Sequence, residues 1–191
     1  AEPCYVLHRR AYRETSLLVE ALSRGQGRVG LVARGVRQKR SRWAGLLEPF
    51  QPLLLAWRGR GEMGTLTAVE PHHRGKMLRG RTLYAAFYVN ELLIRLLARN
   101  DPHPELFDGY DEAIHDLARG NREDVTLRIF EKRLLASIGY GIITDVNVHS
   151  GEAIQPDQEY AYIPELGPTT ADVGDGCHVS GKTLLALARE H

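Results

Sequence analysis

One short basic segment, RGVRQKRSR at residues 34–42, has the clearest chemical meaning in this sequence. It places five cationic side chains within nine residues and contains no acidic one. Closely spaced cations can neutralise successive phosphates of a nucleic acid, and the release of counterions from those phosphates drives binding. We therefore predict that the segment contacts nucleic acid through Arg34, Arg37, Lys39, Arg40 and Arg42.

Basic and aromatic residues close to this segment extend the predicted site. Arg58 and Arg60 flank the glycine of a predicted turn, and Arg24 and Arg28 lie shortly before the segment. Trp43 lies among the cations, so we expect it to be exposed. A base stacked on such a ring would add about 1–3 kcal/mol.

The distribution of charge along the chain supports the same interpretation. The net charge of the whole chain is +1, but residues 1–81 hold 16 Lys and Arg against 6 Asp and Glu, whereas residues 82–191 hold 9 against 18. Such asymmetry predicts that the first part faces a polyanion. The alternative is that the two parts neutralise each other, which is less favoured because exposed charge pairs contribute little free energy.

A second motif, GCHVSGKT at residues 176–183, matches the pattern of a phosphate-binding loop. Such a loop needs a buried parallel strand before it, and the preceding segment TTADVGDG is polar and rich in glycine. We therefore favour Ser180 as a helix N-cap and Lys182 as an exposed charge. A P-loop nucleotide-binding protein stays open as an alternative function.

Metal binding and catalysis find no support in the sequence. His72 and His73 are adjacent, which points their side chains apart in a strand, and Cys4 and Cys177 are too few for a four-thiolate zinc site. No arrangement of a nucleophile with a base stands out. We predict no catalytic residue, no metal and no cofactor, and hence a protein that is not an enzyme.

The predicted nucleic-acid site lies in a region with the pattern of a small β-barrel. Short apolar runs recur about every ten residues and are separated by glycine turns, which is typical of antiparallel strands. We predict five strands, at residues 4–9, 16–23, 28–34, 50–58 and 64–71. Five short strands in this length suit an OB-fold domain, residues 1–80, which is compatible with DNA or RNA as the ligand.

From residue 82 the pattern becomes helical. The segment 82–100 has apolar residues on nearly every side, so we expect a helix that is buried on most faces. Further helices are predicted over 105–120 and 121–139, with Asn121 as the N-cap of the second of these. We assign residues 81–191 to a helical domain and expect an α+β protein with more than one domain.

The last third of this domain is less regular. Residues 140–178 have no helical period and hold many turn-forming residues, so they form an irregular insertion with a strand near residues 160–163. A helix begins at Ser180, and we expect it to be cut short and followed by further helices in the natural protein. No run of about 18 uncharged apolar residues is present, so we expect a cytoplasmic protein with no membrane partner.

The order of these features resembles that of the RecO family, the bacterial recombination mediators of DNA repair. The similarity covers almost the whole chain and lies in five blocks: ETSLLVEALSRGQGRVGLVARGVRQKRS (14–41), LEPFQPLLLAWRGRGEMGTLTAVE (47–70), YAAFYVNELLIRLL (84–97), LRIFEKRLLASIGYG (127–141) and SGKTLLAL (180–187). The resemblance implies an OB domain, a helical domain and a zinc-finger-like insertion that holds four cysteines in many members. Residues 139–178 contain one cysteine here, so we expect a metal-free version.

The same resemblance implies a function and partners. The family binds single- and double-stranded DNA, anneals complementary strands coated by single-stranded DNA-binding protein, and loads RecA together with RecR. The basic positions of residues 34–42 match the DNA-binding connection of the family. Arg128 matches a basic position that meets the acidic C-terminal tail of single-stranded DNA-binding protein, and Lys132, one turn later, is expected to assist. A protein of this kind is expected in the cytoplasm, associated with the nucleoid.

Overall fold

The computed structural model describes residues 1–59, 61–73, 75, 77–120, 122–171 and 176–190. The chain divides into two compact units, Ala1–Leu127 and Arg128–His191. The boundary predicted at residue 80, between barrel and helices, stays a prediction.

The first unit begins with a closed five-stranded barrel. Its strands are β1 (Glu2–Tyr12), β2 (Ser16–Ser23), β3 (Gly27–Ala33), β4 (Pro52–Arg58) and β5 (Gly64–Pro71). They are joined in the order β1-β2-β3-β5-β4, and β3 and β5 are parallel while the other pairs are antiparallel. The predicted α+β fold class and the OB-type barrel are therefore confirmed.

Alternating apolar residues fill the barrel, because side chains of a strand point to opposite faces in turn. Val19, Ala21 and Leu31 are fully buried, as is Leu55 from the fourth strand. Pro52 begins β4, a position where the missing N–H is tolerated. The register of this strand against β5 shifts between Ala56 and Trp57.

The basic segment lies on the connection between β3 and β4. This connection, residues 34–51, consists of successive turns and contains no strand. Val36 and Leu47 are buried in the barrel core and fix the connection at two points. The charged residues between these anchors are left on the surface. We call residues 34–42 the basic loop.

Two helices complete the described core of the first unit, α1 (Arg81–Leu96) and α2 (Pro104–Arg119). The prediction of two separate helices is confirmed, since residues 97–103 are not helical. The prediction that the first helix is buried on most faces is wrong. α1 packs one face against β1 and α2, while Tyr84 on the opposite face is 77% exposed.

A buried polar network ties these helices to the barrel. The register of β1 against β2 shifts between Val6 and His8, which leaves the Leu7 carbonyl free for another donor. The Asn90 amide of α1 donates to this oxygen at 2.8 Å, and the Tyr110 hydroxyl of α2 donates to Asn90 Oδ1 at 2.7 Å. Both side chains are buried, so the network satisfies polar groups that water cannot reach.

The second unit combines helix and sheet. α3 (Glu123–Ser137) begins in the first unit and continues into the second, where Gly139, with φ 86°, follows its end as predicted. The predicted N-cap, Asn121, lies outside the described residues. The insertion forms an antiparallel sheet of β6 (Glu159–Ile163), β7 (Gly167–Thr170) and β8 (Cys177–Ser180), which confirms the predicted strand, and α4 (Gly181–Arg189) follows.

The helices of the described residues are 9 to 16 residues long. Within the described ranges, none is long and apolar enough to cross a membrane.

Candidate nucleic-acid interface

All five cations of the basic loop are exposed, and none of them is paired with a carboxylate of the described residues. The side chains of Arg34, Arg37, Lys39, Arg40 and Arg42 reach solvent. No ion pair formed among the described residues includes any of them. The predicted cluster is therefore present as a surface whose positive charge is not cancelled by a contacting carboxylate.

Trp43 does not lie as we expected. It is only partly exposed and packs with Leu46 against the core of the barrel. The apolar ring gains more from covering this core than from standing in water. The expectation that Trp43 is exposed is therefore wrong. A stacking role for Trp43 stays a prediction, and only the exposed part of its ring could take part.

Arg58 lies at the same side of the barrel as the beginning of the basic loop. It pairs in register with Thr65, which in turn pairs with Val32 at the end of β3. Neighbouring strands are about 4.8 Å apart, so two such steps are about 10 Å. The Arg58 side chain is exposed. Arg60, the other predicted contact in this turn, lies outside the described residues.

The turn between β1 and β2 also contacts the basic loop, which the sequence did not reveal. The backbone N–H of Arg37 donates to the Thr15 carbonyl at 2.9 Å, and the Arg37 guanidinium donates to the Arg13 carbonyl at 3.3 Å. Arg13 is exposed and has φ 52°, a left-handed conformation that suits a tight turn. It thereby adds a cation to the interface. The only signal for it was its place in a predicted turn.

Two nearby arginines that we expected to contribute to the site have carboxylate partners instead. Both ends of the Arg24 guanidinium donate to the Asp108 carboxylate at 2.9 Å. This contact holds the pKa of Asp108 below its ordinary value. Arg28 pairs with Glu20 at 3.3 Å, and Arg99 contacts the same carboxylate. These cations contribute to the fold of the first unit.

The two predicted partner-binding residues lie in the second unit and differ in availability. Arg128 is 71% exposed at its side chain and pairs with Glu131. The Lys132 ammonium donates to the carbonyls of Leu187 and Ala188 at 2.9 and 3.1 Å, in the last turn of α4. Lys132 thus caps a helix C-terminus, where a cation is favourable.

Glu190 lies beside this cap. Its carboxylate is 3.4 Å from Lys132 Nζ and 2.6 Å from Arg133 Nη2. The two cations, Arg133 above all, lower the pKa of Glu190. The Lys132 ammonium is therefore already surrounded by acceptors of its own unit.

The segment that matches a phosphate-binding loop has a structural role. The Ser180 hydroxyl accepts from the Thr183 N–H at 3.2 Å, which confirms the predicted N-cap of α4. The preceding strand, β8, lies at the edge of an antiparallel sheet and pairs only with β6 among the described strands. A phosphate-binding loop follows a buried parallel strand, so this geometry does not favour nucleotide binding.

The described residues also provide little for a metal ion. They contain no group of three or more His, Cys, Asp or Glu side chains placed to hold one. The rings of His72 and His73 lie 3.9 Å apart, but no third ligand accompanies them in the described part of the chain. The expectation of a metal-free insertion stays a prediction.

Comparison with known proteins identifies relatives of this chain. The family profile described as Recombination protein O N terminal matches residues 1–74, and the profile described as Recombination protein O C terminal matches residues 77–190. The chain is 47% identical over 184 residues to DNA repair protein RecO of Methylococcus capsulatus, covering 96% of this chain and 75% of the relative. It is 48% identical over 188 residues to DNA repair protein RecO of Halorhodospira halophila, covering 98% and 79% respectively.

Proposed function

The chain belongs to the RecO family of DNA repair proteins, and from this premise we propose that it binds single- and double-stranded DNA through the basic loop. The observation that carries this proposal is the set of five exposed cations without a carboxylate partner among the described residues. Arg58 and Arg13 extend the surface on its two sides. DNA is the polyanion that a repair protein meets, which also supports a cytoplasmic location at the nucleoid.

We propose strand annealing as the activity, without a catalytic step. Two DNA strands repel each other through their phosphates, and this repulsion extends over about 8 Å at physiological salt. A cationic surface that contacts both backbones reduces the repulsion, after which base pairing selects the complementary sequence. The protein would supply charge and proximity, and the bases would supply specificity.

We further propose the partners of the family for this chain. These are RecR, RecA as the protein loaded indirectly, and the acidic C-terminal tail of single-stranded DNA-binding protein. Membership of the family supports all three, and one feature of the second unit supports the tail site. Arg128 is an exposed cation whose contact with Glu131 a stronger anion can replace, whereas Lys132 is held by α4 and is assigned to position the helix.

The DNA site is tested by replacing three loop cations together. The variant Arg37→Ala, Lys39→Ala, Arg40→Ala should bind single-stranded DNA on the order of 100-fold more weakly in low salt. The slope of log affinity against log salt should fall in magnitude by about 2, since each lost contact removes about 0.7. Fluorescence anisotropy across a salt titration measures both quantities.

A matched control has the same change in net charge elsewhere in the first unit. Arg95→Ala, Arg119→Ala, Arg122→Ala removes three exposed cations outside the basic loop, each of which is paired with a carboxylate. This variant should keep the salt slope. Equal losses in the two triple variants would show that DNA binding follows net charge and would refute the proposed site. A DNA and an RNA strand of the same sequence, compared in this assay, test the alternative of an RNA-binding module.

The tail site is tested by Arg128→Glu. The substitution should abolish binding of a synthetic acidic peptide ending in the tail sequence and impair annealing of coated strands, while the affinity for naked DNA stays within about twofold. Arg122→Glu is the control, since Arg122 is also exposed and lies six residues earlier. Equal loss of naked-DNA binding and peptide binding by Arg128→Glu would contradict a separate tail site.

A further inference from the structure

A cleft lies between the turn that joins β1 to β2 and the beginning of the basic loop. It is a shallow depression with a volume of about 620 Å³ that is widely open to solvent. The side chains that matter for its chemistry are those of Arg13, Glu14, Thr15, Ser16, Arg34 and Gln38. Neither the sequence patterns nor family membership assigned a role to this turn.

Both walls of the cleft are fixed before any ligand binds. The two hydrogen bonds from Arg37, to the carbonyls of Thr15 and Arg13, join the turn to the loop. The Arg13 guanidinium lies over the ring of Tyr12, with 5.1 Å between Cζ and the ring centroid. A cation held against an aromatic face keeps fewer rotamers. The cleft therefore presents a cation whose position is already restricted.

The donors around the cleft have the chemistry that a phosphodiester requires. Arginine presents several N–H groups in a planar fork that matches two phosphate oxygens. Arg13 and Arg34 supply this group from the two walls. Ser16, Thr15 and Gln38 add neutral hydrogen-bond donors between them. Lys39, Arg40 and Arg42 do not line the cleft.

We propose that this cleft binds backbone phosphates of one DNA strand, with Arg13 and Arg34 as contacts and Arg37 as a positioning residue, whose loss in the triple loop variant removes the Arg13 contact. The inference rests on the proposed function, since it assigns a specific binding site to the DNA that the basic loop attracts. The cations of the basic loop then have two different positions relative to the cleft. Arg34 acts inside the cleft, while the three cations further along act outside it.

Glu14 adds a negative charge to the same cleft and so allows a second test. A carboxylate repels a bound phosphate, so Glu14 weakens the binding that Arg13 and Arg34 favour. Removing this charge should therefore tighten DNA binding. A general effect of net charge would be the same for any exposed carboxylate on the barrel.

The first test compares Arg13, in the turn after β1, with Arg10, near the end of β1. Arg13→Ala should weaken single-stranded DNA binding about tenfold and lower the magnitude of the salt slope by about 0.7, the value for one contact. Arg10→Ala is the control, since Arg10 is exposed, lies three residues earlier and does not line the cleft. Its affinity should stay within about twofold. Equal losses in the two variants would overturn the assignment of the cleft.

The second test looks for a gain. Glu14→Gln should tighten binding several-fold, whereas Glu70→Gln, which removes an exposed charge from β5 outside the cleft, should change it by less than twofold. Equal gains would overturn the proposal.

A double substitution tests the positioning role of Arg37. If Arg37 acts through Arg13, the loss in Arg13→Ala, Arg37→Ala is smaller than the product of the two single losses. A loss equal to the product would show that Arg37 contacts DNA independently. Thermal unfolding of each variant establishes that it is folded.

These results separate the failure of this inference from that of the proposed function. If the triple loop variant loses affinity while Arg13→Ala does not, the cleft is wrong and the DNA-binding loop stands. If neither variant loses affinity, the proposed function itself fails.

Discussion

At the junction between barrel and helices, arginines are held by carboxylates, whereas in the basic loop they have no such partner within the described part of the chain. Arg24 binds Asp108, and Arg28 shares Glu20 with Arg99. Arg40, like the rest of the loop cations, faces solvent alone. Some cations of the first 81 residues therefore form ion pairs within the fold, and others remain exposed on the loop. Composition alone cannot tell the two groups apart. Substitutions at the junction should change stability, and substitutions in the loop should change DNA affinity.

The largest effect on stability is expected at the buried polar network of the junction. Asn90→Leu removes the donor to the buried Leu7 carbonyl and removes the hydrogen bond that the Tyr110 hydroxyl donates to Asn90. An unsatisfied buried polar group costs about 1–3 kcal/mol, so the free energy of unfolding should fall by about 3 kcal/mol. Urea denaturation measures this loss.

A partial deletion of the same network provides the control. Tyr110→Phe removes one hydrogen bond and leaves Asn90 bound to Leu7, so it should cost about 1 kcal/mol. DNA affinity of the folded protein should be unchanged in both variants. A loss of affinity at full folding would break the separation of junction and loop.

A smaller effect is expected at the shared carboxylate of Glu20. The side chains of Glu20, Arg28 and Arg99 are only 19%, 16% and 32% exposed, so water compensates poorly for a lost ion pair. Glu20→Gln keeps the shape of the side chain and removes its charge, which should cost about 1–2 kcal/mol of unfolding free energy. Urea denaturation is again the measurement.

The same variant also tests whether the junction contributes to DNA binding. Glu20→Gln should not weaken DNA binding, because the freed arginines are not part of the loop surface. The triple loop variant should show the converse, with lost affinity and an unchanged urea midpoint. A weaker DNA affinity in Glu20→Gln would show that the junction takes part in the interface.

The sequence predicted the barrel well because strand signals are local. All five strands were found, since apolar alternation and glycine turns mark them independently of the rest of the fold. The second strand was predicted with its observed bounds, Ser16–Ser23, and the fourth began two residues early. The N-cap at Ser180 was predictable for the same reason, because capping involves residues three apart.

The contacts that differ from expectation are those between distant residues. Trp43 was expected in solvent because its neighbours in sequence are charged, but it packs against the core of the barrel. The helical pattern of α1 could not show that the face with Tyr84 stays exposed. Lys132 looked available until α4 supplied the carbonyls 55 residues later that it caps.

The candidate site shows the same limit. The five loop cations were predictable because they lie within nine residues, but the absence of a carboxylate partner among the described residues depends on where each acidic residue folds. Arg24 and Arg28 looked equivalent to them and are not. Arg13 is joined to the loop by a hydrogen bond from Arg37, which follows it by 24 residues in the chain. Charge patterns locate candidates, and tertiary contacts decide among them.

The smallest effect is expected at the exposed pair of Arg24 and Asp108, and it should depend on pH. Asp108 has a lowered pKa in the folded protein, mainly through its hydrogen bond from Arg24, so the pair stabilises the fold above the ordinary carboxyl pKa of 3.8. This stabilisation is lost as the pH falls through the lowered pKa. Asp108→Asn should therefore lower the urea midpoint slightly at pH 7 and leave it equal to that of the original protein near pH 2. Glu70→Gln, with no ion pair among the described residues, should show no such gap at pH 7. If the urea midpoint of Asp108→Asn stays below that of the original protein in acid, the loss comes from packing and not from charge. The carboxylate of Asp108 would then not explain why Arg24 differs from the loop cations.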